Sequence, residues 1–471
     1  MSKRIGVIAV SILLIMAMSA CGMASWEPGG LVGEMLDGIV KPEELETNPE
    51  YDEILTPPDP PSIRDGLPVS LKLAGDIAVL EAYKVVSLEN DNYLHQSLVE
   101  AEQEFEKIYG YGFSHRRYTV NELLKNANTG VMSGEDLPML CYLPMSELFD
   151  VYTAQGFYSN MGLDLYDNGC WDTELNRDLQ LQGVQYAFSG ALTPFTKLNV
   201  ACYAINTRTA EQRMGVDLYE YYENGEWTFD VYAKVTRDAK ADNGLICDNS
   251  VYHITDCRFY GSGIELFDNK TLSINPDFYS IDIDSLKNTL DSVSGSASSG
   301  AEQLFLELEK NRLLLFTSLA AYAGLNGNKP FAEQASFEVG LIPTPKYDVA
   351  AEYASSCAPA NTTVLCVPLC FRSSCSEAIN AYAILMAERY EQGTAEWLQK
   401  VTPDDRAYAM AYRMMDTVRV DTVGLLLQEG YQANCNPLYF VSTENFHAYI
   451  EQELARCLAR LREDVLLTPG K

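Results

Sequence analysis

Val339-Gly340-Leu341-Ile342-Pro343-Thr344-Pro345-Lys346-Tyr347-Asp348 is the stretch on which the architecture turns. Residues 337–342 have the apolar density of a buried strand. Pro343-Thr344-Pro345 closes it, because a proline has no N–H for a sheet ladder and fixes its own φ. Upstream, Leu313-Leu314-Leu315-Phe316 is a second short apolar run, and residues 200–205 are a third, ended by Asn206-Thr207. Short apolar runs between turn signals predict strands covered on both faces. Downstream, Val364-Leu365-Cys366-Val367 is strand-like, residues 375–394 predict a long helix, and 406–416 and 443–461 predict two more.

The first half alternates in the same way. Val85-Val86-Ser87-Leu88 predicts a strand, stopped by Glu89-Asn90-Asp91-Asn92. Leu94, Leu98, Ala101, Phe105 and Ile108 then recur at helical spacing up to Gly110. Tyr118-Thr119-Val120 restarts extended chain, and 120–126 is a short helix. Met139-Leu140-Cys141-Tyr142-Leu143 predicts a buried strand, followed by helices at 146–155, 216–222, 228–239 and 304–311. The Ser- and Gly-rich 291–300 reads as a loop. Strands alternating with helices predict the α/β class with mainly parallel sheets.

Lys3 and Arg4 precede an almost wholly apolar run over residues 5–20, too short for a comfortable bilayer span. It ends Met18-Ser19-Ala20-Cys21-Gly22, small residues before a cysteine, as in a lipoprotein signal peptide. Residues 1–20 are therefore the expected leader, and Cys21 the expected lipidated N-terminus on the outer face of the cell membrane. Two or more acyl chains hold a protein stably at a bilayer, at about 0.8 kcal/mol per buried CH₂. Residues 21–66 include Glu27-Pro28-Gly29-Gly30 and Pro57-Pro58-Asp59-Pro60-Pro61, which predict a flexible tether. The remaining body, about 400 residues, exceeds the roughly 250–300 at which single cores stop growing, so two lobes are expected.

The net charge of −32 excludes nucleic acid as a partner, whose phosphates it would repel. Twelve cysteines leave eleven beside Cys21, an odd number whose pairing stays open. Cys366, Cys370 and Cys375 do not have zinc-ligand spacing, and a cysteine in an apolar run reads as a small buried hydrophobe.

Five passages, in order, carry a resemblance to the large extracellular solute-binding lipoproteins of bacterial ABC importers, the maltose-binding-like group. They are Met139-Leu140-Cys141-Tyr142, Asn168-Gly169-Cys170-Trp171-Asp172, Val200-Ala201-Cys202-Tyr203-Ala204-Ile205-Asn206, Asn224-Gly225-Glu226-Trp227-Thr228-Phe229-Asp230 and the opening stretch. The last is similar to the group's G-x-L-P-x-P-K-Y-D. Thr207 departs from the usual Lys, and Asp238-Ala239-Lys240-Ala241-Asp242-Asn243-Gly244 is a decayed form of an acidic loop, with Lys240 where a calcium ligand would stand.

The resemblance implies a two-lobed periplasmic-binding-protein-like fold. Its lobes would be residues 67–195 plus 340–402, and 196–339 plus 403–471. The chain would cross between them near 190–199, 338–346 and 401–404. It implies a monomer that closes on a small-molecule ligand, a sugar or oligosaccharide, and presents it to importer membrane subunits, without cofactor or metal.

In open α/β sheets ligands bind at loops after strand C-termini. That rule selects Asn90, Asp91, Asn92 and Tyr142, with Trp171, Tyr260, Tyr322 and Tyr353 as aromatic faces for sugar rings. The 29 Tyr, 17 Phe and 4 Trp favour carbohydrate. A surface glycan-docking lipoprotein shares the anchor and tether but needs no interlobe cleft. A secreted hydrolase is the weakest alternative. His95, His115, His253 and His447 fall in no H-E-x-x-H, G-x-S-x-G is absent, and Asp282 with Asp284 reads as a solvated face.

Overall fold

The computed structural model describes residues 70–76, 93–133, 138–153, 157, 169–243, 259–291, 313–325, 329–359, 362–368, 374–437, 440 and 442–466. The expected leader, Cys21, the tether, the strand at 85–88, Asn90, Asp91, Asn92 and the helix at 304–311 lie outside them, as does the loop at 291–300 apart from its first residue.

The chain is a mixed α/β structure, with two main sheets among the described residues. The first has the order β2-β1-β3-β10-β4, from β1 (Ser70–Asp76), β2 (Gly112–Tyr118), β3 (Leu140–Pro144), β4 (Ala187–Phe188) and β10 (Thr363–Cys366). The second has the order β8-β5-β9, from β5 (Ala201–Asn206), β8 (Leu314–Ser318) and β9 (Val339–Pro343). A small pair, β6 (Phe267–Asp268) and β7 (Ser273–Ile274), stands apart.

The expectation of mainly parallel sheets is corrected. β1 runs parallel to β2 and β3, but β10 runs antiparallel to both β3 and β4. In the second sheet both pairings are antiparallel, with Tyr203 opposite Phe316 and Ile342. The physical reason lies in what an apolar run encodes. β5 and β9 are buried at every residue. A strand covered on both faces looks the same whichever way its neighbours run, because direction depends on the sheet end from which the chain enters.

The first passage between sheets lies between Phe188 and Ala201. The return lies between Pro343 and Thr363, which overlaps only the last residues of the expected 338–346, because all of β9 pairs with β5.

Nine helices are used below: α1 (Tyr93–Tyr109), α2 (Val120–Ser133), α3 (Leu148–Thr153), α4 (Pro194–Leu198), α5 (Phe229–Asn243), α6 (Ser374–Val401), α7 (Asp405–Asp416), α8 (Thr422–Tyr431) and α9 (Ala455–Leu466). Helix α1 buries Leu94, Ala101 and Phe105 on one stripe and stops at Gly110, whose φ of 73° suits a residue without Cβ. It packs on α6, where the Phe105 and Tyr382 rings meet edge-on at 6.2 Å. Helix α5 runs through Asn243, so the remnant acidic loop is helical up to that residue. The helix expected over 443–461 is broken by a π-helical turn at Ile450–Leu454.

β2 and α8 went unanticipated as such. β2 is an edge strand of sequence GFSHRRY, and an edge needs no apolar run. Helix α8 is apolar almost all round, which hides its period.

Glu429 accepts a hydrogen bond from Phe149 N (3.0 Å). Burial, with Glu147 and Asp150 nearby, pushes its carboxyl up from 4.5 to about 9. A raised acid favours the folded state while protonated, so this contribution is lost as pH rises from about 4.5 towards 9. Glu429→Gln keeps the acceptor and removes the titration. Urea melts should show the variant more stable than the parent by ~1–3 kcal/mol at alkaline pH and nearly equal to it in acid. Parallel pH profiles for the two proteins would contradict this.

Candidate functional site at the junction of the two sheets

Between the two sheets, connecting segments lie side by side like strands. Val200, just after α4, bridges Cys357 in antiparallel fashion, and Ala201 N donates to Ser356 O (2.8 Å). Ser355 N donates to Thr417 O (2.9 Å), and Arg419 N donates to Ser355 O (2.8 Å). The Ser355 and Thr417 hydroxyls are 3.0 Å apart. The segment 417–421 joins α7, which packs on β9, to α8, which packs on α3.

Arg419 clamps this junction. Its Nε donates to Asp178 Oδ2 at 2.7 Å and its guanidinium NH2 to Asp178 Oδ1 at 2.8 Å, a bidentate pair. Val420 N adds a third donor to the same carboxylate at 2.9 Å, and Glu265 accepts from Arg419 at 3.1 Å. Burial pushes the Asp178 carboxyl up, against the opposite pull of Arg419.

A buried polar cage adjoins the clamp. Asp172 Oδ2 accepts from Ser189 Oγ (2.9 Å), and Asp172 Oδ1 pairs with Lys197 Nζ (2.7 Å). Asn176 Nδ2 donates to Ser189 O (2.8 Å) while its Oδ1 accepts from Ser189 N (2.9 Å). Gly190 N donates to Thr193 Oγ1 at 3.1 Å. Burial works against the Lys197 ammonium, but Asp172, helped by Asp416 and Glu391, more than offsets it and holds the group charged. The pocket that Asp172, Thr193, Lys197, Tyr390 and Glu391 help to line measures about 30 Å³. That is room for about one water, not for a sugar ring.

Lys197→Met should leave the Asp172 carboxylate buried without its cation. The expected cost is ~2–3 kcal/mol in a denaturant melt, reduced because the lysine keeps some contact with water. Adding Asp172→Asn should recover most of that loss. A double variant no better than the single one would refute the pairing.

Of the expected ligand residues that the structure describes, three are buried. Tyr142 is buried in β3. Trp171 is buried too, its indole donating to Asn380 Oδ1 (3.0 Å) and its ring meeting Phe188 edge-on at 5.3 Å. Tyr322 is wholly buried, with its hydroxyl donating to Val339 O at 2.6 Å. Tyr353 is partly exposed but stacked 4.1 Å from Tyr222, with Lys346 Nζ 4.8 Å over its ring. Its hydroxyl accepts from Trp227 N (3.1 Å) and donates to Tyr222 O (3.3 Å). Tyr260 is partly exposed beside Phe259.

The acid pair at 282 and 284 serves helix ends. Asp282 Oδ1 accepts from Ser285 N and Asp284 Oδ1 from Thr443 N, both at 2.9 Å. Among the described residues no group of three or more His, Cys, Asp or Glu is placed to hold a metal ion.

Asp172 is legible in the sequence as the neighbour of Trp171. Lys197, Asp178 and Arg419 had no sequence signal, since their partners lie far along the chain.

Two of the five passages, 224–230 and 339–348, fold onto each other. Trp227 Nε1 donates to Pro343 O (2.9 Å), Lys346 N donates to Trp227 O (3.1 Å) and Phe229 N donates to Lys346 O (3.0 Å). Lys346 Nζ then donates to Val349 O (2.8 Å) and Ala351 O (2.9 Å). The pair is a structural clasp.

No protein-family model matches the chain, and no curated protein matches its sequence. Its fold is similar to the crystal structure of the cyclic alpha-maltosyl-1,6-maltose binding protein from Arthrobacter globiformis. The TM-score is 0.50 at 13% identity, over 85% of this chain and 99% of that one. Also similar are an extracellular solute-binding protein family 1 structure from Alicyclobacillus acidocaldarius (TM-score 0.47, 10% identity, 84% of this chain and 100% of that) and the GacH receptor of Streptomyces glaucescens (0.46, 12%, 84% and 98%). At such identities the likeness is one of fold.

Proposed function

We propose that this chain is a solute-binding protein that captures a carbohydrate between two lobes and presents it to the membrane subunits of an ABC importer, anchored outside the cell through Cys21. The observation that carries the reading is the set of strand-like segments laid side by side between the two sheets, at Val200, Ser355–Cys357 and Thr417–Arg419. A few backbone dihedrals in such segments can absorb a rotation of one half against the other while both sheets stay intact. Carbohydrate is favoured by the aromatic content and by what the Arthrobacter globiformis protein is named for binding.

In this reading one lobe is organised on the five-stranded sheet and the other on the three-stranded sheet. Tyr260 and the polar run Asn90, Asp91 and Asn92 are the positions proposed to meet ligand. A sugar that touches both lobes shifts the open–closed balance only by its preference for the closed form. Lipidation keeps the binding head near its importer. The mechanism needs no chemical step.

The test is small-angle scattering with and without a panel of malto-, isomalto- and galacto-oligosaccharides, paired with calorimetry. At least one glycan should bind and also reduce the radius of gyration. If none does both, the reading fails. A glycan that binds without compaction points to surface docking instead.

A further inference from the structure

We propose that Cys141 and Cys366 form a disulfide that staples β3 to β10. The two residues are direct partners in the antiparallel register of these strands, Cys366 opposite Cys141. Directly opposed residues in an antiparallel pair put their side chains on the same face, with Cα atoms about 4.5–5.5 Å apart. Disulfides span Cα separations of roughly 4.4–6.8 Å, so the backbone already stands at bridging distance. Both residues are wholly buried, and each is a free thiol in this structure. The neighbours in the same row across the sheet are Ala74 on the β1 side and Ala187 on the β4 side. Small residues on either flank leave the row's volume to the two sulfurs.

The place of the link is what gives it consequence. β3 precedes the first passage between the sheets, and β10 follows the return. A Cys141–Cys366 bond therefore closes a loop that contains the entire second sheet. It makes the five-stranded sheet, assembled from two distant parts of the chain, one covalent unit. Closing a loop this long removes more freedom from the unfolded chain than closing a short one does.

The chemistry is thiol–disulfide exchange with an aliphatic disulfide such as glutathione disulfide. One cysteine thiolate attacks a glutathione sulfur, releasing one glutathione thiolate and leaving a mixed disulfide. The second cysteine thiolate attacks the protein sulfur of that mixed disulfide and releases the second glutathione thiolate. Both cysteines lose a proton, their sulfurs are oxidised by two electrons in all, and the glutathione disulfide is reduced to two thiols. Burial pushes the Cys366 thiol well above its ordinary range, so the thiolate is suppressed once the sheet has closed. Exchange thus belongs to folding, before β10 docks on β3.

The test uses the full chain folded in the presence of glutathione disulfide. The protein is denatured without reductant, alkylated with iodoacetamide, digested and mapped by mass spectrometry before and after reduction. The expected result is one cross-linked species joining the Cys141 and Cys366 peptides, which reduction separates. Recovery of both cysteines as carbamidomethyl derivatives before reduction would overturn the proposal. So would finding either one linked to a different cysteine or to glutathione.

Discussion

Trp227→Ala is expected to destabilise the protein by ~3–5 kcal/mol, the range for emptying a fully buried large aromatic site. Trp227 has no exposed surface and meets Tyr232 edge-on at 6.1 Å. Its indole N–H also supplies the hydrogen bond to Pro343 O, so truncation both opens a cavity and strips a donor from a buried carbonyl. The loss falls on the clasp that ties the start of α5 to the end of β9, and with it on the seat of Lys346 and Tyr353. Trp227→Phe refills part of the volume but not the hydrogen bond, so it should cost less than the alanine variant. Chemical denaturation of the three proteins checks the order. A cost below ~1 kcal/mol for the alanine variant would show that the site collapses around the vacancy.

Gly190→Val should be at least as disruptive, through crowding. A Cβ at position 190 would stand 2.4 Å from Cys170 O, 2.7 Å from Trp171 Cε3 and 3.0 Å from Trp171 Cα. Two of those three atoms are backbone, so no side-chain rotation relieves the clash. The strand-like bridge between Trp171 and Gly190 has to part, and Ala191 N then loses its bond to Cys170 O (2.9 Å). Crowding a packed core typically costs 1–3 kcal/mol, and losing buried hydrogen bonds adds to that, so a loss of ~3 kcal/mol or more is expected. Gly112→Ala is the control, since its added Cβ would meet nothing closer than a glutamate side-chain atom at 3.6 Å. If both variants melt alike, the tight approach at Gly190 does not matter.

Gly190 and Trp227 act at different sheets. Gly190 keeps Asp172 next to Lys197 and so holds the start of α4, where the first passage leaves the five-stranded sheet. Trp227 holds the end of β9, where the return leaves the three-stranded sheet. Substituting either should loosen one end of the junction that the proposed closing motion requires.

The legibility of the fold followed burial. Strands β3, β5, β8, β9 and β10 were readable because each is a short apolar run, and α1 because its apolar residues repeat every three or four positions. β2 was not, because an edge strand with His115, Arg116 and Arg117 has no need of such a run. The site was less legible than the fold. Tyr322 is expected in a loop facing the cleft, yet it ends the short helix Leu319–Tyr322 as a core residue with its hydroxyl committed to Val339 O. A tyrosine that faces solvent and a tyrosine that fills a core have the same letter.

What the sequence determined alone is which segments must be covered and where they must stop. The apolar run of β9 closed by Pro343-Thr344-Pro345 is legible because burial and proline geometry act within a few residues. Strand direction in the second sheet, the point of return between the sheets, the Asp178–Arg419 clamp, the Asp172–Lys197 pair and the Cys141–Cys366 register were decided by tertiary structure. Each depends on two or more segments meeting in space. Side-chain forces act over ångströms and take no account of how much chain lies between the groups that meet.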